Sequence, residues 1–152
     1  MTNLQGLLHN SVLIAALTAW ALAQIVKLPI EYVRTRRWNW ALLLRAGGMP
    51  SSHSALVAGA AHGIGLTIGF DSPIFAGAVA LAMIVIYDAT GIRRQAGRHA
   101  EIINTMVNDL VEGHPLRQEQ LREVLGHSPG EAIVGMLMGL GLAQLIVPWM
   151  AG

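Results

Sequence analysis

Four apolar stretches, Leu7 to Val26, Ser54 to Phe70, Pro73 to Tyr87 and Gly130 to Met150, leave this chain few ways to fold. A hydrocarbon core about 30 Å thick needs about 20 apolar residues as a helix, with a range of about 17 to 25. The first and last stretches meet that length, and the middle two lie at or just below its lower limit. Between the middle pair, Phe70-Asp71-Ser72-Pro73 reads as a tight turn with Ser72 as N-cap and Pro73 at the first helical position, so the two form a hairpin of short spans. Only 12% of the 152 residues are charged and 53% are hydrophobic, against roughly 25% charged in a soluble globular protein. The expected fold is all-α, a membrane-embedded bundle of four transmembrane helices forming one domain over residues 1–152.

The placement of charge says more than its sum. The formal net charge is +1, which argues against a strongly basic nucleic-acid binder. Yet Lys27, Arg34, Arg36, Arg37 and Arg45 fall between the first and second spans, and Arg93, Arg94, Arg98, Arg117 and Arg122 between the third and fourth. Short loops rich in Lys and Arg stay cytoplasmic, so both termini are expected outside and both long loops inside. In the second loop, Ile92, Ala96, Ala100, Ile103, Met106, Val107 and Leu110 recur at three- and four-residue spacing, the pattern of an amphipathic cytoplasmic helix. A break at Gly113-His114-Pro115 precedes a shorter helix expected around Leu116 to Leu125. With no cysteine in the chain, thiolate nucleophiles and thiolate-held clusters are excluded.

Three patches carry residues suited to phosphate chemistry. Gly47-Gly48-Met49-Pro50-Ser51-Ser52-His53-Ser54-Ala55 opens the second span, where unsatisfied N–H groups and the positive helix end can hold a phosphate while His53 faces it. The plainer reading is a capped helix, with Ser51 or Ser52 as N-cap. Gly126-His127-Ser128-Pro129-Gly130-Glu131 opens the fourth span. His127 and Glu131 are four apart, so the carboxylate can orient the imidazole, but Ser128 and Glu131 also form a capping box. Glu131 is expected to serve one role at a time. The third patch runs from Tyr87-Asp88-Ala89-Thr90-Gly91 into Arg93, Arg94 and Arg98. Arg forks suit bidentate phosphate contacts, or they are topogenic only, and Asp88 at a span end calls for a partner. His9, His62, His99 and His114 are read as structural. No zinc-type spacing, Walker loop or Gly-x-Ser-x-Gly occurs, so no metal site and no cofactor is expected.

In order and in combination, these patches resemble the type 2 phosphatidic acid phosphatase and vanadium haloperoxidase superfamily, most closely its small divergent bacterial and plant branch. Lys27 and Arg34 have the spacing of its first motif, with Thr35 in place of proline. Pro50-Ser51-Ser52-His53 matches its second, with Ser52 in place of glycine, and His127 with Glu131 matches the end of its third, with Glu for Asp. Arg122 precedes His127 by five residues where the motif has six, so Arg93 or Arg94 is an alternative third phosphate ligand.

The resemblance implies a metal-independent phosphatase in which His127 attacks phosphorus and His53 protonates the leaving oxygen. Glu131 would orient His127, and Lys27, Arg34, Ser51, Ser52 and an Arg of the second loop would hold the phosphate, with Asp88 in support. Expected partners are a lipid phosphate substrate and membrane lipids, in the bacterial inner membrane with the site facing the cytoplasm. A lipid-phosphate binder or transporter without turnover and a purely structural subunit are the competing expectations. Gly59, Gly63, Gly135 and Gly139 form small-xxx-small pairs that serve packing within the bundle or a homo-oligomer equally well.

Overall fold

The computed structural model describes residues 3–43, 48–111 and 127–152, and every regular element among them is helical. A short α1 (Asn3–Leu8) leads into α2 (Ser11–Thr35), followed by a 3-10 turn (Trp40–Leu43), α3 (Ser52–Ile68), α4 (Pro73–Thr90), α5 (Ile92–Val111) and α6 (Pro129–Ala151). Polar caps set the starts of the long helices. Asn10, Ser51, Ser72 and Ser128 accept from the backbone N–H of Leu13, Ser54, Phe75 and Glu131, satisfying donors that a helix start leaves without partners. Ser72 and Pro73 thus occupy the positions expected of them, and α5 covers the expected amphipathic segment. The helix expected around Leu116 to Leu125 lies outside the described residues.

One boundary differs from expectation in a way that matters. The first span was bounded by its first charge, which placed Lys27 and Arg34 in a loop. Instead α2 continues for 25 residues through both and ends at Arg36 in a left-handed conformation. Leu28, Ile30, Tyr32 and Val33 keep an apolar helical sequence going after Lys27, so hydropathy stops where helix formation does not.

Among the described residues, three stretches are long and apolar enough to cross a membrane, Ser11–Thr35, Pro73–Val107 and Pro129–Ala151. With 17 residues, α3 is about 25 Å long at about 1.5 Å per residue. It is the central helix, packed against α2, α4 and α6, and it buries Ala55, Ala58, Gly59, Ala61, Gly63 and Gly65.

The core is made of small residues. Ala15, Ala143 and Val147 form one cluster with Leu66 and Ile146 against it, and Ala19, Ala23 and Ala55 form a second under Met138 and Leu142. Large side chains point outward, among them Leu81, Met83, Ile84, Leu137, Leu145 and Trp149. In water such a surface would be a liability. In lipid it is the expected arrangement, because helix association there relies on close backbone approach rather than on burying large apolar groups.

Glycines on α6 make that approach possible. A Cβ on Gly135 would lie 2.2 Å from the Ser51 carbonyl oxygen, and one on Gly139 would lie 2.3 Å from that of Ala55. Gly59 faces the Gly139 carbonyl from the other side. The small-xxx-small pairs therefore serve packing within the chain, and they seat the start of α3 directly on α6.

Candidate active site

The ends of four helices meet at one pole of the bundle, and hydrogen bonds between elements tie them together. The Ser51 N–H donates to the Glu131 carbonyl at 2.9 Å, joining the start of α3 to that of α6. The His127 N–H donates to the Ala89 carbonyl at 2.9 Å, joining the entry of α6 to the end of α4. Lys27 Nζ, from α2, donates to Ser52 Oγ at 3.5 Å. Two of the three patches, together with the end of α4, thus converge with Lys27.

His127 is 4% exposed. Its Nδ1 lies 3.1 Å from Glu131 Oε2, and the same oxygen accepts the Ser128 N–H at 3.0 Å. Capping and imidazole orientation were expected to alternate, and here one carboxylate oxygen does both at once. It can do so because it offers more than one lone pair. The full capping box is present as well. An ionised carboxylate only accepts, so in this contact Nδ1 is the donor. The ring of His53, the second residue of α3, has its centroid 6.4 Å from that of His127 at an interplanar angle of 57°.

Lys27 is 2% exposed, and a buried ammonium in an apolar helix needs compensating partners. It donates to Gln24 Oε1 and Ser52 Oγ, and the Glu131 carboxylate is close enough to act on it electrostatically. Gln24 in turn donates to the Leu43 carbonyl at 3.1 Å, so its amide fixes Lys27 on one side and the 3-10 turn on the other. Gln24 escaped the sequence reading. Its only signal was a polar residue inside a span, three positions before a lysine and so on the same side of the helix. Gly48, with φ +77, brings backbone beside the Lys27 stem as the chain turns toward α3.

The other expected site residues are placed as follows. Ser51 and Ser52 are buried. The Ser51 Oγ accepts from the Ser54 N–H and hydroxyl, while the Ser52 Oγ faces Lys27. Asp88 is half-buried at the end of α4, next to the residue that accepts from His127. Arg34 is exposed and lies seven residues beyond Lys27 on α2, about 10 Å farther along nearly the same face. Arg93 and Arg94 occupy the first turn of α5, but their side chains, like the whole of Arg122, lie outside the described residues.

A small-residue helical core with a lipid-type exterior, and two imidazoles beside a buried lysine at one pole, define a membrane protein with a polar site built from helix ends. The chain belongs to the divergent PAP2 family, whose model matches residues 8–142, and it is thereby a phosphatase-related membrane protein. It is 39% identical over 151 residues, covering 92% of this chain and 96% of the relative, to the uncharacterized membrane protein YuiD of Bacillus subtilis (strain 168). That likeness and the long apolar helices make it an integral membrane protein. No solved structure matches the chain.

Proposed function

We propose that the protein is a four-span, single-domain lipid phosphate phosphatase whose site faces the cytoplasm and which works through a phosphohistidine. The observation that carries this reading is the His127–Glu131 contact beside the ring of His53, which engages Nδ1 and leaves Nε2 as the nitrogen to which we assign the nucleophilic role. In the first step, a bond forms between His127 Nε2 and phosphorus as the ester P–O bond breaks. His53 gives its proton to the departing oxygen, and the lipid alcohol leaves. Water then attacks phosphorus while His53 takes its proton, the N–P bond breaks, and inorganic phosphate is released.

Phosphoryl transfer depends chiefly on positioning and on stabilising charge. Lys27, the Ser52 hydroxyl and the N–H groups at the start of α3 supply part of that stabilisation. Ser51 shapes the turn, and Asp88 supports the end of α4. Lys27 and Glu131 offset one another in charge, so a phosphate needs further cations, a role we assign to Arg34 and to Arg93, Arg94 or Arg122. The third span enters from one side and α5 leaves on the basic side, which supports a cytoplasmic site and outward termini. The candidate substrates are polyprenyl phosphates and diphosphates, phosphatidate and phosphatidylglycerophosphate.

Purified protein in lipid nanodiscs, given each of these with a chelator present, is expected to release phosphate from at least one. Vanadate should inhibit that release. Saturable binding of the lipids with no release from any would contradict the phosphatase reading and favour a non-catalytic binder.

A further inference from the structure

Along one side of α4, Met83, Ile84 and Tyr87 are exposed on the lipid-type surface. That side does not stop where the helix does. Gly91 donates to the Tyr87 carbonyl and accepts from the Gln95 N–H, so the four-residue step runs through the junction from Tyr87 to Gly91, Gln95 and His99. These residues and Ala96 line a hollow of about 290 Å³. Steps of four, three and four residues then lead from His99 to Ile103, Met106 and Leu110, all exposed. One continuous face therefore reads apolar on α4, polar at the junction and apolar again on α5.

The other sides of α5 have clear environments. Gly97, Ala100 and Asn104 are buried on one flank, while Glu101 and Thr105 are exposed on the other. Only the apolar face is unexplained, with Met106 60% and Leu110 74% exposed. Among the described residues, α5 packs against α4 alone. If it ran on along the axis of α4, Ile103, Met106 and Leu110 would stand about 18–28 Å beyond Gly91, in water. The aromatic rings place the membrane surface much nearer. Tyr87 is exposed one turn before Gly91, and at the end of α2, on the same pole, Tyr32 stacks on Trp38 and Trp38 on Trp40. Such rings settle at the headgroup level, so α5 starts there. Gly91 has φ −100 and ψ −76, away from the helical values of about −63° and −42°, and the chain can change direction at it.

We propose that α5 is a membrane-surface helix that turns at Gly91 onto the bilayer beside α4, with Ile103, Met106 and Leu110 set among the upper acyl carbons. Glu101 and Thr105 stay in water. The partner is lipid because this face continues the lipid-type side of α4, and Tyr87, Gln95 and His99 then fall at the headgroups between the two apolar stretches. Charge agrees with that partner. Arg93, Arg94 and Arg98 all fall in the first two turns of α5, where it meets phosphate-bearing headgroups, and its acids Glu101 and Asp109 come later. Catalysis at the polar site is not needed for this seating.

With no native cysteine to interfere, a nitroxide on single cysteines can read each side of the helix. Ile103→Cys, Met106→Cys and Leu110→Cys probe the apolar face, and Glu101→Cys and Thr105→Cys the polar flank. All five positions are exposed, so the substitutions disturb no packing. Each full-length variant is placed in nanodiscs of phosphatidylethanolamine and phosphatidylglycerol. Relaxation by oxygen, which partitions into lipid, is compared with relaxation by a water-soluble nickel chelate. The oxygen-to-nickel ratio is expected to be about tenfold higher at Ile103→Cys, Met106→Cys and Leu110→Cys than on the polar flank, as for a helix lying in the interface. Equal nickel access at all five would put α5 in water. Protection of the apolar face from both reagents would mean that protein covers it, whether a second copy or the rest of this chain. Either result would overturn the proposal. The unsubstituted chain gives a second reading, using phosphatidylglycerol with a diazirine on an upper acyl carbon. Adducts are expected on Ile103, Met106 or Leu110, and labelling of α4 with none on α5 would contradict the seating.

Discussion

Glu131 Oε2 accepts from the backbone of Ser128 while it holds His127 Nδ1, so the two roles can be separated by substitution. Glu131→Gln keeps an acceptor for the cap but not the charge that stabilises an imidazolium. Its melting temperature should stay close to the parent while kcat falls by about 10- to 100-fold, of the order of a lost acid–base contribution. Glu131→Ala removes both, adding a loss of about 1 kcal/mol from the cap, which thermal melting in detergent would show. Gln24→Leu takes one acceptor from Lys27 Nζ and the donor from the Leu43 carbonyl, and is expected to weaken vanadate binding several-fold, as is Gln24→Glu, whose carboxylate cannot donate to that carbonyl and whose charge opposes the anion. Titration calorimetry with vanadate reads both. Ser51, Ser52, His53, His127 and Glu131 stand out in the sequence because they lie in short motifs whose residue types suit phosphate, whereas Lys27 stands out only through its spacing from Arg34 in the resemblance. Gln24 does not, since an amide in an apolar helix gives no sign of the carbonyl nineteen residues away that it meets.

The helix starts were legible in sequence, since Ser-Pro and Ser-x-x-Glu have local physical causes, whereas the end of α2 was not. Hydropathy marks where a chain leaves hydrocarbon, and the helix carrying Lys27 and Arg34 simply continues past that point. Close approach was foreseeable from the glycine pairs, but the partner was not, because the same spacing serves two helices of one chain or of two. The structure puts Gly135 and Gly139 against the α3 backbone. Alanine at either is therefore expected to destabilise the bundle by about 1–3 kcal/mol, as overpacking does. At Gly135 it should also lower activity, because it displaces Ser51 and with it the start of α3. Gly141, on the same helix, has open space where a Cβ would go. Gly141→Ala should leave activity unchanged and stabilise slightly, by roughly 0.5–1 kcal/mol, through helix propensity. Melting curves of the three variants side by side separate close packing from composition.

Across the whole molecule, α2, α3, α4 and α6 alternate in direction, so their polar ends gather at one pole. At the other, Val12 of α2 meets Gly63 of α3 while Leu66, Ala15, Ala143 and Val147 close the core. The proposed orientation, with the polar pole at the cytoplasm, rests on the one-sided distribution of Lys and Arg. Since the chain has no cysteine, single cysteines report this directly. An impermeant maleimide should label Asp71→Cys, in the turn between α3 and α4, on intact spheroplasts, and Thr105→Cys, on α5, only after permeabilisation. The reverse pattern would invert the topology.

The central claim is that His127 becomes phosphorylated. Its most direct test is rapid acid-free quenching of the protein during turnover of a 32P-labelled lipid phosphate, followed by mapping of the labelled peptide. The expected result is a transient, acid-labile and base-stable label on the peptide containing His127, absent from His127→Ala, which also releases no phosphate. Full phosphate release by His127→Ala, with no labelled histidine in the parent at any time point, would contradict the account.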